Sequence, residues 1–444
     1  MKLAGTFSKL KPFNVLVVGD FMLDKYTAGT VNRISPEAPV SILKVTNEEY
    51  LPGGAGNVAL NLAYLGARVY SLGRIGDDET GEILKDKLKQ ENINVENIFI
   101  QGSYKTPLKN RLLAAGQQLL RVDVETTKPL PNNQLDCIFN SLESVLNKIE
   151  VIAVSDYNKG FLTNDFLAHL IDKAKEKKIP IIVDPKGDNY SKYKGVDIIK
   201  PNLKEAYEAV KATSDASLKD IASNLIELTG VDHLLITMSE SGISLFDRSL
   251  NQKNFPVQVK EVKDVTGAGD TVLSILCAAI ANKIDIDHAI QFANIAAGIA
   301  IEKLGCAKVS LSELAKRLLE QDMKNKIFDS AHLSVLSGIL DNSEFAVLTV
   351  DTLKTITSHL FKTVRNLSKK YSKLIVYIQE DKPNNDAIDF LSSLHEVDYI
   401  ILKTESMKDN IKETIKTKNH HTWNSLKNQL DTSSEIKIFD SVSK

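Results

Sequence analysis

Asn14-Val15-Leu16-Val17-Val18-Gly19-Asp20 is a short aliphatic run, rich in β-branched residues, with a polar entry and a Gly-Asp exit. Because it is apolar at successive rather than alternate positions, it reads as a strand buried on both faces, as in parallel sheets. The design recurs at Val151-Ile152-Ala153-Val154-Ser155-Asp156, Ile179-Pro180-Ile181-Ile182-Val183-Asp184 and His233-Leu234-Leu235-Ile236-Thr237. Amphipathic stretches of helix length lie between these runs, among them Asp165 to Lys177 and Ser217 to Thr229. Strands alternating with helices build right-handed βαβ units, so the fold class is α/β: an open, mostly parallel sheet with helices on both faces. Ligands of such sheets sit beyond the carboxyl ends of the strands, where Asp20, Asp156 and Asp184 fall.

Two stretches break the rhythm. Pro39 to Lys44 and Leu108 to Asp123 alternate apolar with polar residues, the mark of half-buried antiparallel strands, expected over about residues 39–50 and 108–123. They form either a small β lid over the crevice or an extension of the main sheet's edge. After Gly305 the composition shifts, and Gly338 is the only later glycine. Apolar runs resume at Glu344–Val350, Lys373–Ile378 and Val397–Leu402, which predicts a second, smaller Rossmann-like α/β domain. The expected division is residues 1–312, a charged helix or linker over 313–326, and 327–444.

The 444 residues are 43% hydrophobic and 25% charged, ordinary for a globular protein. Lys+Arg 55 against Asp+Glu 57 leaves a net charge of -2, so no basic excess points to nucleic acid. No apolar run reaches the ~18–20 residues that span a bilayer, and the first residues turn polar at once, unlike a secretion signal. Cys137, Cys277 and Cys306 are too few and too scattered for a disulfide framework or a zinc site. The expected location is the cytoplasm.

Three motifs carry chemistry. Asp264-Val265-Thr266-Gly267-Ala268-Gly269-Asp270-Thr271 precedes an apolar helix pattern. Glycines there let backbone N–H groups converge at a helix N-terminus, making an anion hole. Asp270 inside it would repel a phosphate unless its task is to take a proton from an attacking hydroxyl; the plain alternative is an N-cap aspartate. Pro52-Gly53-Gly54-Ala55-Gly56-Asn57-Val58-Ala59 matches a dinucleotide fingerprint, but it follows a suspected lid strand. Close approach of a sugar to Gly53 and Gly54, with Asn57 bonding its hydroxyls, suits that position better; a purely structural turn is the alternative. Asn202-Leu203-Lys204-Glu205 sets an Asn and a Glu on one helical turn, either toward nucleotide phosphates and hydrated Mg²⁺ or as a capping box.

Together these motifs resemble the ribokinase (PfkB) family of sugar kinases. Gly19–Asp24, Arg33–Val40, Gln117–Asp123, Ser155–Gly160 and Asp184–Gly187 narrow the resemblance to the kinase half of the bifunctional heptose-7-phosphate kinase/heptose-1-phosphate adenylyltransferase, over roughly residues 10 to 315. The resemblance implies a cytoplasmic homodimer that phosphorylates a heptose 7-phosphate at O1 with Mg-ATP, and it leaves a monovalent cation open. It implies Asp270 as base and Gly267, Ala268 and Gly269 as anion hole. Asn202, Leu203, Lys204, Glu205, Thr237, Gly242 and Asn294 would face ATP, with Asn202 and Glu205 reaching Mg²⁺ through water. Asp24, Arg33, Gly53, Gly54, Asn57, Lys109, Arg111, Asp156 and Lys186 are the sugar-phosphate candidates. The cations Lys109, Arg111 and Lys186 favour a phosphorylated substrate. A kinase of another sugar, sugar phosphate or nucleoside, and a sensor without turnover, are the rival readings; an intact Asp270 speaks against the sensor.

Met238 stands where the family often has Arg, and Gly305-Cys306-Ala307 replaces a Gly-Thr-Ser/Ala run. The second domain resembles the nucleotidyltransferase half in layout only. Where that family has F-D-x-x-H-x-G-H, this chain has Val350-Asp351-Thr352-Leu353-Lys354-Thr355-Ile356-Thr357. The resemblance therefore implies a domain without that activity. The pair His420-His421 is expected at the surface.

Overall fold

The computed structural model describes residues 3–213, 215–257, 262–303, 305, 308–322, 326–328, 344–353, 357–380, 383–403 and 419–431. The chain divides into one unit of Leu10–Leu314 and a second of Ala315–Lys444 together with Met1–Lys9.

The first unit carries β1 (Asn14–Gly19), β2 (Phe21–Ile34), β3 (Ser41–Gly54), β4 (Arg68–Gly76), β5 (Asn94–Gln101), β6 (Leu108–Ala114), β7 (Gln117–Val124), β8 (Val151–Ser155), β9 (Ile181–Asp184), β10 (Ile198–Ile199), β11 (His233–Thr237), β12 (Ile243–Asp247) and β13 (Gln252–Phe255). Nine of them form one sheet in the order β13-β12-β11-β10-β9-β8-β1-β4-β5. It is parallel except where β12 and β13 return antiparallel at one edge. Val15 to Val18 and Val151 to Val154 are all fully buried, as continuous apolar runs in a two-sided sheet require.

Strand order reverses at β1, which lies between β8 and β4, and the crevice beyond this switch point is where such sheets bind ligands. Register aligns Gly19 with Ser155 and Ser155 with Asp184. The carboxylates of Asp20, Asp156 and Asp184 thus follow one another along one edge.

The remaining four strands form a separate sheet, β3-β2-β6-β7, and not an extension of the main sheet's edge. Its centre, β2, shows no strand period in the sequence. Phe21, Met22 and Leu23 continue the buried run of β1, and from Thr30 onward the strand is exposed, with Val31 and Ile34 among the exposed residues. Its two partners, not its own pattern, make it a strand.

The second unit carries β14 (Ile327–Phe328), β15 (Phe345–Val350), β16 (Lys373–Ile378), β17 (Tyr399–Leu402), β18 (His420–Asn424) and β19 (Gln429–Asp431). They form a sheet in the order β14-β17-β16-β15-β18-β19, antiparallel only between β18 and β19. Leu348, Val350, Val364, Val376 and Ile400 pack one face, while Phe7 joins Phe328, Phe345 and Tyr399 on another cluster. His420 corrects the surface expectation: it is buried in β18, which pairs with β15. Thr357 caps the helix Ser358–Lys370, whereas Lys354 and Ile356 lie outside the described residues, as do Cys306 and Ala307. Among the described residues no helix is long and apolar enough to cross a membrane.

Candidate active site

The loop ending in Thr266 turns at Gly267, whose φ of 80° is left-handed, and the helix Ala268–Ala281 begins there. Gly267 is the N-cap, so Asp270 is not. Asp270 sits in the first turn, where helix amides lack intrahelical partners, and it is only 5% exposed. Asn57 Nδ2 donates to its Oδ2 at 2.6 Å, and the Tyr157 hydroxyl donates to its Oδ1 at 3.2 Å. Burial pushes the Asp270 carboxyl up to about 7, helped by the Asp184 charge and opposed by the bond from Asn57, by Lys200 and by Tyr157. A carboxyl poised near neutrality can both take and release a proton.

Asn57 reaches this point because β3 ends against β2. Gly54, the N-cap of the helix Ala55–Tyr64, has φ 55°, and a Cβ there would lie 2.6 Å from the Asp20 carbonyl oxygen. At Gly53 a Cβ would lie 2.3 Å from Asp24 Oδ2, so this glycine makes room for a carboxylate. Asp24, on β2, pairs with Arg111 on β6 through a 2.5 Å contact, both side chains largely buried. Lys109, one step earlier on the same face of β6, is half-buried and places Nζ 5.3 Å from the Tyr157 ring centroid. Burial lowers the Lys109 pKa; Asp24 opposes this, and the neighbouring Lys159 and Arg121 add to it.

On the other side of Asp270 a cavity of about 1290 Å³ is lined by Asp184, Lys200, Asn202, Gly269, Asp270 and Asn294, among others. It exceeds the ~300–1,000 Å³ of an ordinary small-molecule pocket. The buried Lys200 pairs with Asp184 at 2.9 Å and stands beside Gly269, where a Cβ would be 3.5 Å from its Nζ. Asn202 and Glu205 do form a capping box: Glu205 N donates to Asn202 Oδ1 and Asn202 N to Glu205 Oε2, each at 2.9 Å. Leu203 and Lys204 occupy the same turn and also line the cavity, Lys204 with its side chain 84% exposed. Thr237, Met238 and Gly242 line the wall at the end of β11, and Asn294 holds the Phe255 carbonyl at 2.8 Å.

The sugar-phosphate candidates therefore separate. Asp24, Gly53, Gly54, Asn57, Lys109 and Arg111 gather where the small sheet meets the large one. Lys186 instead pairs with Glu205 at 2.7 Å, among the residues expected to face ATP. Asp156 is held by Lys192 at 2.6 Å and by the Tyr193 hydroxyl at 2.7 Å. Arg33 is exposed near the far end of β2, about 30 Å from Asp24 along an extended strand, and is not brought to this cluster.

Two residues were not singled out by sequence reasoning: Tyr157 and Lys200. Lys200 directly follows β10 and Tyr157 lies two residues past the end of β8, which was the available signal. Asp20 accepts from the amides of Tyr157 and Lys159 at 3.0 and 2.9 Å, and burial, reinforced by Asp156, raises its carboxyl to about 6. Arg74, fully buried, holds the carbonyl of Lys159 at 2.7 Å and that of Lys128, and so ties down the same loop.

Comparison with known proteins adds a family. The model of the pfkB family of carbohydrate kinases matches residues 13–314. A bifunctional protein HldE of Syntrophotalea carbinolica is 39% identical over 329 residues, 73% of this chain and 67% of its own length. A bifunctional protein HldE of Aliarcobacter butzleri is 36% identical over 414 residues, 88% of this chain and 86% of its own. The structure of Arabidopsis thaliana ribokinase complexed with ribose and ATP aligns with a TM-score of 0.55 at 18% identity, covering 69% of this chain and 99% of the other, a likeness of fold.

Proposed function

The chain belongs to the pfkB family of carbohydrate kinases, and on that premise we propose that it transfers the γ-phosphoryl group of ATP to O1 of D-glycero-β-D-manno-heptose 7-phosphate. The products are the 1,7-bisphosphate and ADP, on the route to ADP-heptose for lipopolysaccharide core. The choice of sugar is supported by the likeness to proteins named HldE along most of the chain. It is also supported by the cations Lys109 and Arg111 on the acceptor side of the base.

The single observation that carries the chemistry is the carboxylate of Asp270, buried at a helix N-terminus and raised to about 7. The sugar hydroxyl gives its proton to Asp270 while its oxygen attacks the γ-phosphorus. The bond from that phosphorus to the β,γ-bridging oxygen breaks, and ADP leaves with the electron pair. First-turn amides at Ala268 to Asp270 and the ammonium of Lys200 face the charge that develops on the equatorial oxygens. The cavity wall from Thr237 to Asn294 takes the nucleoside.

Asn202 and Glu205 are hard oxygen donors suited to Mg²⁺ held through water. Both are engaged in the capping box, which suits outer-shell contact better than direct ligation. The metal accompanying ATP would neutralise phosphate charge there. In the second unit we infer a loss of nucleotidyl transfer, because Lys354 and Thr357 stand where the nucleotidyltransferase motif F-D-x-x-H-x-G-H has its histidines.

The test is ADP release over a panel of sugar 7-, 6- and 5-phosphates, with Asp270→Asn beside the wild type. The variant is expected to keep its fold and bind ATP while kcat drops on the order of 10²-fold or more. Turnover within a few-fold of wild type would remove Asp270 from the role of base.

A further inference from the structure

Both oxygens of Asp270 are occupied, yet the acceptor hydroxyl of the sugar must reach one of them. Asn57 is the less movable partner. It is 1% exposed, it lies on a helix, its bond is 2.6 Å, and its amide oxygen accepts from Asn61 at 3.3 Å. Tyr157 is different. It follows β8 in a loop, it lines the cavity, and its hydroxyl reaches Asp270 over a longer 3.2 Å. Its backbone amide is fixed by Asp20 at 3.0 Å, so the ring can swing about its side-chain torsions while the loop stays in place.

The ring also touches the acceptor side. Lys109 Nζ lies 5.3 Å from its centroid, and among the described residues Lys109 makes no ion pair. The neighbouring cation of β6, Arg111, is already engaged by Asp24. A half-buried ammonium without a carboxylate partner is what an incoming phosphate dianion draws toward itself.

We propose that Tyr157 is a positioning residue that keeps the base covered until the sugar phosphate arrives: its hydroxyl occupies Oδ1 of Asp270, and Lys109 releases the ring when it turns to the substrate's phosphate. This rests on the kinase reading above and deepens it. A sugar without the phosphate leaves Lys109 on the ring and the base covered. Water entering the crevice beside ATP meets the same obstacle, so the device favours the phosphorylated acceptor over both.

The test is Tyr157→Phe in the full chain, which keeps the ring and removes only the hydroxyl. The charged groups facing Asp270 are Asp184 and Lys200, and both are untouched by the substitution. A bond donated to a carboxylate favours its ionised form, so losing it moves the acid limb of kcat/KM up by about half a pH unit or more. The limb of kcat stays in place, because in the substrate complex the sugar hydroxyl has already replaced Tyr157. The preference in kcat/KM for the phosphorylated over the unphosphorylated sugar falls roughly five-fold or more, and ATP hydrolysis without sugar rises. Lys109→Gln is expected to lose the same preference while its kcat/KM limb stays at the wild-type position.

An unmoved kcat/KM limb, an equal movement of both limbs, or an unchanged preference in Tyr157→Phe would overturn the proposal. If the wild type turns over no sugar phosphate, the kinase reading fails by itself. The free-enzyme titration of Asp270, followed by carboxyl ¹³C NMR and assigned with Asp270→Asn, then still decides the contact. Tyr157→Phe must raise that pKa, and no change would sink the assignment.

Discussion

At the scale of single residues, Asp270 links catalysis to stability. In an unfolded chain its carboxyl titrates near 3.8, and in the fold near about 7, chiefly because burial penalises the charge. Between those values the folded state holds the extra proton more tightly, so stability falls as pH rises through the window and the full penalty stands above about 7. A displacement of that size corresponds to up to about 4 kcal/mol. Asp270→Asn is therefore expected to melt higher than wild type at pH 8.5, with the gain shrinking as pH falls toward 4. Equal gains at both pH values would mean the carboxyl is not strained by burial. This residue was legible in the sequence because its chemistry is contiguous: glycines, aspartate and apolar helix follow one another within a dozen positions. Tyr157 and Lys200 were not legible, because what they do depends on Asp270 and Asp184, which are distant along the chain.

At the scale of elements, β6 shows how one strand gives two neighbouring cations different tasks. Positions two apart share a face, so Lys109 and Arg111 look equivalent in the sequence. Pairing with β2 sets Asp24 opposite Lys109 and Tyr26 opposite Arg111, yet it is Arg111 that reaches Asp24. Arg111→Ala leaves a buried carboxylate unpaired and is expected to lower stability by about 3–5 kcal/mol. Lys109→Gln breaks no ion pair among the described residues, so its melting temperature is expected to stay close to wild type. Its KM for the sugar phosphate is expected to rise ~10-fold or more while KM for ATP holds, since charge-assisted bonds to phosphate contribute roughly 1.5–3 kcal/mol. Equal melting losses in the two variants, with an unchanged sugar KM for Lys109→Gln, would make Lys109 a structural cation only.

At the scale of the whole molecule, each unit has its own sheet and core, but chemistry is assigned to only one. In the second unit Thr357 caps a helix and its hydroxyl donates to Asn428 at 2.6 Å, so it serves the local fold. Purified chain given heptose 1-phosphate with each nucleoside triphosphate is expected to release no pyrophosphate above background; formation of a nucleotide-heptose would make the protein bifunctional. The sequence by itself determined the α/β class, the buried strands and the glycine-bounded aspartate, because these rest on hydrophobic period and on turn chemistry read within a few residues. It also carried the likeness to a kinase family. Only the tertiary structure decided that Phe21–Ile34 is the centre of the small sheet, that Lys186 belongs with Glu205, that Arg33 stands apart, and that His420 is buried. Each of those outcomes depends on a partner that the fold supplies from elsewhere in the chain, and local pattern holds no record of which partner that will be.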